Sequence, residues 1–190
     1  MSAPEGVRIS PCALDILEIC GARGHTDELA AHAREGGMGL PGTGRVTIGA
    51  ERLILCLRPE RWLILTPPAS NDRDEAIAGW QQAGAALGAA VNLSAGFEAL
   101  LLQGTRSVEV LARGCRLDLD PQLFPQGHAA ATIMAQVQVS LASLPAGLLL
   151  LTPASTARHF SAWLSNAAQA YGLMPQSTIS MADLCRSRMQ

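Results

Sequence analysis

The sequence predicts an α+β protein made of two similar units, each of strands followed by a helix. Three observations carry this. The apolar runs Trp62-Leu63-Ile64-Leu65 and Leu148-Leu149-Leu150-Leu151 are short enough for strands, and each soon meets a Thr-Pro stop. Behind the second run, Phe160, Trp163, Leu164, Ala167, Ala168 and Tyr171 recur at the spacing of one helix face. The two regions also match each other: Leu63-Ile64-Leu65-Thr66-Pro67-Pro68-Ala69-Ser70 aligns with Leu149-Leu150-Leu151-Thr152-Pro153-Ala154-Ser155, each followed by a Trp-bearing segment ending at Gly88 or Gly172.

Taken in order, Thr26 is placed to cap an Ala-rich helix from Asp27 to about Glu35, with acids in its first turn and Gly36 at its end. A glycine-rich loop, Gly36 to Gly44, leads to strands at Arg45–Ile48, Arg52–Leu57 and Arg61–Thr66. A helix around Trp80 is expected from about Asp74 to Leu87. Strands Ala90–Leu93 and Glu98–Gln103 flank a turn at Ser94-Ala95-Gly96, read as a hairpin, and Thr105 is expected to cap a short helix reaching about Arg113. Cys115 to Gly127 reads as an irregular connection. Ala135, Val137, Val139 and Leu141 alternate with Gln136, Gln138 and Ser140, the period of a half-buried strand, and Ser155 is expected to cap the last helix. Two such units bury little alone and gain by packing together, which gives one domain over 1–190 with halves at about 39–113 and 114–190.

Composition excludes several functions. A net charge of -2 with no cluster of cations removes the electrostatic footprint of nucleic-acid or anionic-membrane binding. Every cation is arginine, so no Schiff-base lysine and no phosphate-loop lysine is present. Charged residues are only 16% of the chain against 48% apolar, which leaves greasy surface for other polypeptides to cover. Cys12, Cys20, Cys56, Cys115 and Cys185 are odd in number and scattered, as expected for packed, reduced thiols in a cytoplasmic protein. The N-terminus lacks the basic-then-apolar pattern of a signal peptide, and polar residues interrupt the uncharged stretch 129–157, so no membrane span is expected.

The chemical motifs fail on context. Gly37-Met38-Gly39-Leu40-Pro41-Gly42 spells a dinucleotide fingerprint, yet a helix precedes it and strands follow, the reverse of what phosphate binding requires. Asn92-Leu93-Ser94-Ala95-Gly96 lacks the first glycine and the following helix of a nucleophile elbow. Asp118 and Asp120 form a close carboxylate pair, but Asp120 before Pro121 is a turn signal. His25, His32, His128 and His159 have no metal-site spacing, and nothing specific pairs Cys115 with His128 or His159. No catalytic, cofactor-binding or metal-binding residue is assigned.

The order "RWLILTPP", "VNLSAGFEALLLQG", "VLARGCRLDLDPQLFPQG" and "LLLLTPASTARHFSAWLSNAAQAYG" closely resembles the gamma subunit of heterotetrameric sarcosine oxidases over about Gly39 to Gly172. The stretch Gly114-Cys115 to Gly127 is its most specific part. The resemblance implies the fold of the folate-binding domain of glycine-cleavage aminomethyltransferases. It implies a non-catalytic assembly role beside alpha, beta and delta subunits, in oxidation of sarcosine or a related N-methyl amine. It leaves FAD, FMN, NAD, tetrahydrofolate and zinc to those other chains, and self-association when the chain is isolated. Cys115, Asp118, Asp120, Phe124 and Pro125 become the candidate partner contacts, with the Gly36–Gly44 loop as a second suspect. The rival readings are a stand-alone folate-binding or one-carbon transfer protein of the same fold, and a dimer that pairs with itself.

Overall fold

The computed structural model describes residues 6–49, 51–68, 86–174 and 177–186. Two sheets stack face to face with helices on their outer sides. The five-stranded sheet holds β2 (Asp15–Gly21), β3 (Arg45–Ile48), β4 (Leu53–Arg58), β5 (Arg61–Thr66) and β6 (Gly88–Asn92), in the order β3-β4-β5-β2-β6. The six-stranded sheet holds β1 (Val7–Cys12), β7 (Phe97–Gln103), β8 (Ala129–Met134), β9 (Val137–Leu144), β10 (Gly147–Pro153) and β11 (Leu173–Met174), in the order β11-β1-β7-β10-β9-β8. Every pairing among these strands is antiparallel except the parallel pair of β1 with β11. Helix α1 (Thr26–Glu35) covers the first sheet; α2 (Ser107–Ala112) and α3 (Ala154–Gln169) cover the second, and α4 (Met181–Cys185) plugs one end of the space between sheets.

This layering explains the apolar runs. In β10, Leu148 and Leu150 face α2 and α3 while Leu149 and Leu151 face the other sheet; in β5, Leu63 and Leu65 face the inter-sheet core while Trp62 and Ile64 meet Leu29 and Ala33 of α1. A strand wet on neither face has no reason to alternate. The expected stripe of α3 buries Phe160, Leu164, Ala167 and Ala168, and Gly172 takes φ 72 beyond its end. Trp163 differs: its half-buried indole lies over Gly114 and against Phe160, 5.7 Å between ring centres, and not over the middle of β10.

The two sheets share one strand order when β2, β3, β4, β5 and β6 are set beside β7, β8, β9, β10 and β11, with β1 inserted between β7 and β11. The aligned runs at β5 and β10 occupy the same place in that order. β7 and α2, which the sequence puts in the first half, belong to the second sheet and its core, and sheet membership changes between Asn92 and Phe97.

Ser94-Ala95-Gly96 is therefore a 3-10 crossover between sheets and not a hairpin. Ser94 Oγ accepts the Ile16 N–H at 2.9 Å, pinning the crossover against the start of β2. The expected caps also shift. His25, Arg106 and Pro153 hold the cap positions, none with a side-chain cap bond; Thr26 Oγ1 donates to Glu60 Oε1 instead. Ala135 and Gln136 are not strand but the two-residue turn of the β8–β9 hairpin, with φ 46 and 67. Strands β1, β2, β8 and β11 and helix α4 have no counterpart in the sequence reading; the helix expected around Trp80 lies outside the described residues up to 85.

Candidate functional site

The connection from Cys115 to Gly127 runs between α2 and β8 over the rim of the second sheet. Leu119 and Phe124 turn inward and join the core beneath α3, and Phe124 is only 8% exposed, so its ring holds the connection down. Its two carboxylates shape the backbone. Asp118 Oδ1 accepts the Asp120 N–H at 2.9 Å, Asp120 Oδ1 accepts the Gln122 N–H at 2.8 Å, and the Asp120 carbonyl accepts from Leu123 and Phe124. Both aspartates stay exposed, whereas Cys115 and Pro125 are half-buried.

Cys115 bridges to Met134 of β8, and burial pushes its thiol above the ordinary value against the opposing contacts of Leu117 and Thr132. Neither His128 nor His159 is among its partners. His128 instead lies against Phe124, Arg45 and the Pro125 carbonyl, whose oxygen is 3.0 Å from Nδ1. A thiol held protonated and away from a base is a poor nucleophile.

Three hollows surround this rim. A groove of about 610 Å³ runs past Thr105, Pro121, Phe124, Pro125, Pro145 and Leu148 and has no charged side chain in its lining. A second, of about 580 Å³, lies on the other side of the connection between Arg113, Arg116, Ile133, Gln136 and Trp163. A small cleft of about 100 Å³ opens where the sheets diverge, lined by Glu18, Arg58, Arg61, Gln138 and Ser140; there Arg61 Nη1 sits 3.5 Å from the Glu18 carboxylate. Among the described residues no group of three or more His, Cys, Asp or Glu side chains is arranged to hold a metal ion, and no described helix is long and apolar enough to cross a membrane.

The glycine-rich loop is used for packing. Its Met38 is buried, the Pro41 carbonyl accepts Trp62 Nε1–H at 2.9 Å, and Gly44 ties to both Cys56 and Ala129 through its backbone. The sequence reading singled out the connection but not the exposed apolar side chains of this rim, Leu123 at 66% within the connection and Ile133 at 64% on β8, nor Arg113 and Arg116, which line the groove with Ile133. Arginine spacing across a helix end was a usable signal; an isoleucine in an alanine-rich strand was not.

Fold and rim together define a class: a helix-flanked stack of two like-ordered, mainly antiparallel sheets whose two larger hollows carry no carboxylate and whose close carboxylate pair serves the backbone. A family model described as sarcosine oxidase, gamma subunit family, matches residues 23–170, and the chain belongs to that family. A sarcosine oxidase subunit gamma from Arthrobacter sp. is 35% identical over 128 residues, 66% of this chain and 60% of that protein's length. A chain of the heterotetrameric sarcosine oxidase from Corynebacterium sp. U-96, solved with pyrrole 2-carboxylate, superimposes with TM-score 0.78 at 25% identity, covering 93% of this chain and 91% of that one. The glycine cleavage system aminomethyltransferase T from Bartonella henselae gives TM-score 0.64 at 11% identity over 95% of this chain and 50% of that one, a likeness of fold.

Proposed function

We propose that this chain is a non-catalytic assembly subunit of a flavin-dependent heterotetrameric oxidase acting on sarcosine or a related N-methyl amine. The flavins, dinucleotide, folate and zinc of that assembly belong to its companion chains. The observation that carries the reading is the gamma-family match over 23–170. Within the chain it is supported by a connection whose carboxylates are committed to their own backbone and by hollows suited to polypeptide. The exposed Asp118, Asp120 and Leu123 with the half-buried Pro125 are the contact side of the connection; Cys115 and Phe124 hold it in place. Five free cysteines accord with a reducing, cytoplasmic setting. We also infer one domain of two similar halves, β2 to β6 and β7 to β11, with β1 lent to the second.

The test is on the purified chain alone. It is expected to be colourless, to consume no oxygen with sarcosine, and to self-associate. Saturable binding of tetrahydrofolate by the isolated chain would support the stand-alone one-carbon protein in its place, and turnover of sarcosine would overturn the non-catalytic reading.

A further inference from the structure

β8 is the outer strand of the six-stranded sheet. Met134 and Val137 face each other across a two-residue turn, which makes them a hydrogen-bonded pair; Thr132 with Val139 and Ala130 with Leu141 follow at every second place. The intervening residues Ala129, Ala131 and Ile133 therefore direct their main-chain groups outward. Both ends of this edge are taken: the Ala129 N–H donates to Gly44 O at 2.9 Å, and the Ala135 N–H donates to Gly114 O at 3.3 Å, beside the Cys115–Met134 bridge. Between these ends, the N–H and C=O of Ala131 and the N–H of Ile133 meet no hydrogen-bond partner among the described residues. Ala131 is exposed, as is Ile133. At about 3.3 Å per residue, the edge from 129 to 135 is about 20 Å long.

Free edges are ordinarily guarded by charges, prolines or bulges pointing into the gap. Here the side chains at the gap are Ala131 and Ile133; Arg113 and Arg116 line the groove beside Ile133 with the half-buried Trp163, while Ala131 lines the small cleft that also holds Glu18, Arg58 and Arg61. Neither Arg113 nor Arg116 is paired with a carboxylate among the described residues. A row of alternating donor and acceptor groups is matched by another main chain and not by a small acid. Two unpaired guanidinium groups beside an exposed isoleucine and a tryptophan ask for carboxylates flanking an apolar side chain.

We propose that this edge receives an extended, carboxylate-bearing segment of a companion polypeptide, about five residues long, which adds a strand outside β8 and sets its acids against Arg113 and Arg116. The inference rests on the reading of the chain as an assembly subunit and names where one companion attaches.

The test co-expresses the tagged full chain with its companion subunits, as wild type, Ile133→Pro, and the double variant Arg113→Glu with Arg116→Glu. Proline at 133 deletes an outward N–H while leaving the bonds to β9 intact. Both variants are expected to melt near the wild type and to bind companions at least tenfold more weakly. Hydrogen exchange at the Ala131 and Ile133 amides is expected to slow on assembly, a readout that decides the matter if the proline variant fails to fold. Wild-type assembly with unaltered affinity in the charge-reversed chain and no protection at these amides overturns the edge proposal alone. A wild-type chain that gathers no companion overturns both it and the subunit reading.

Discussion

Replacing Gly104 by alanine sets a Cβ 1.9 Å from the carbonyl oxygen of Gly6, with the Gly6 carbon and the Val7 Cα at 3.0 and 3.2 Å. Ordinary contact begins near 3.4 Å, so the two backbones must separate by about 1.5 Å, and no flexible side chain stands between them to yield. The segment displaced is the entry to β1, whose Arg8 pairs with Gln103 one residue before the glycine. Gly104 also has φ 120, a region that costs a non-glycine residue on the order of 1–3 kcal/mol. Adding one or two ladder bonds at about 1 kcal/mol each gives roughly 2–5 kcal/mol. Gly24→Ala is the matched control: it too has positive φ, 84, but nothing lies within 4 Å of its Cβ, so only the conformational cost of about 1–2 kcal/mol applies. Urea unfolding of the two variants, followed by circular dichroism, measures the difference. Equal losses for Gly104→Ala and Gly24→Ala would refute the close approach of β1 to the end of β7.

Three further outcomes follow from the same packing. Leu149, fully buried between the sheets, is expected to cost about 2–5 kcal/mol on replacement by alanine, read from the urea midpoint, whereas Leu123→Ala stays within about 0.5 kcal/mol in the isolated chain. Burial pushes the Cys12 thiol up to about 12, so it stays protonated in the folded chain and resists iodoacetamide at pH 8.5, while urea exposes it to full labelling by mass spectrometry. Because the folded value is raised, this contribution is whole below the unfolded thiol value of about 8.5 and shrinks by up to about 1.4 kcal/mol per pH unit above it. At α4 the sign is opposite: hydrogen bonds from Ser180 hold the Asp183 carboxyl below its usual range, so the capping box is intact at neutral pH and lost as pH falls through the lowered value. Ser180→Ala is expected to speed amide exchange over Met181–Cys185 at neutral pH, with a loss of about 0.5–1 kcal/mol.

The parts legible in the sequence are those where packing imposes an unmixed pattern. β5 and β10 are sheathed on both faces, so their apolar runs mark them, and α3 presents one stripe to one core. β1 was hidden by Pro11, a residue that argues against an inner strand. The structure tolerates it because β11 covers only Val7 and Arg8, and further along the Pro11 carbonyl accepts from Ile179, so no N–H is asked for. β8 was hidden by three consecutive alanines, and the turn after it by Ala135 and Gln136, which take positive φ where Asn or Gly is usual. The hairpin expected at Ser94-Ala95-Gly96 failed because two strands close in sequence were assumed to pair, while each had a better partner, β2 for one and β1 and β10 for the other. At the rim, local sequence marked the connection as special but could not say which side chains face out. Phe124 goes in and Leu123 goes out because the Asp118 and Asp120 turns fix the backbone's direction there.

Capture of the tagged chain from its native cell, followed by a gel and an absorption spectrum of what is retained, tests the central claim most directly. A subunit of such an oxidase is expected to bring down a yellow eluate with larger companion chains that oxidises sarcosine or a related N-methyl amine. A colourless chain recovered alone, or as a salt-resistant homodimer, would contradict the claim.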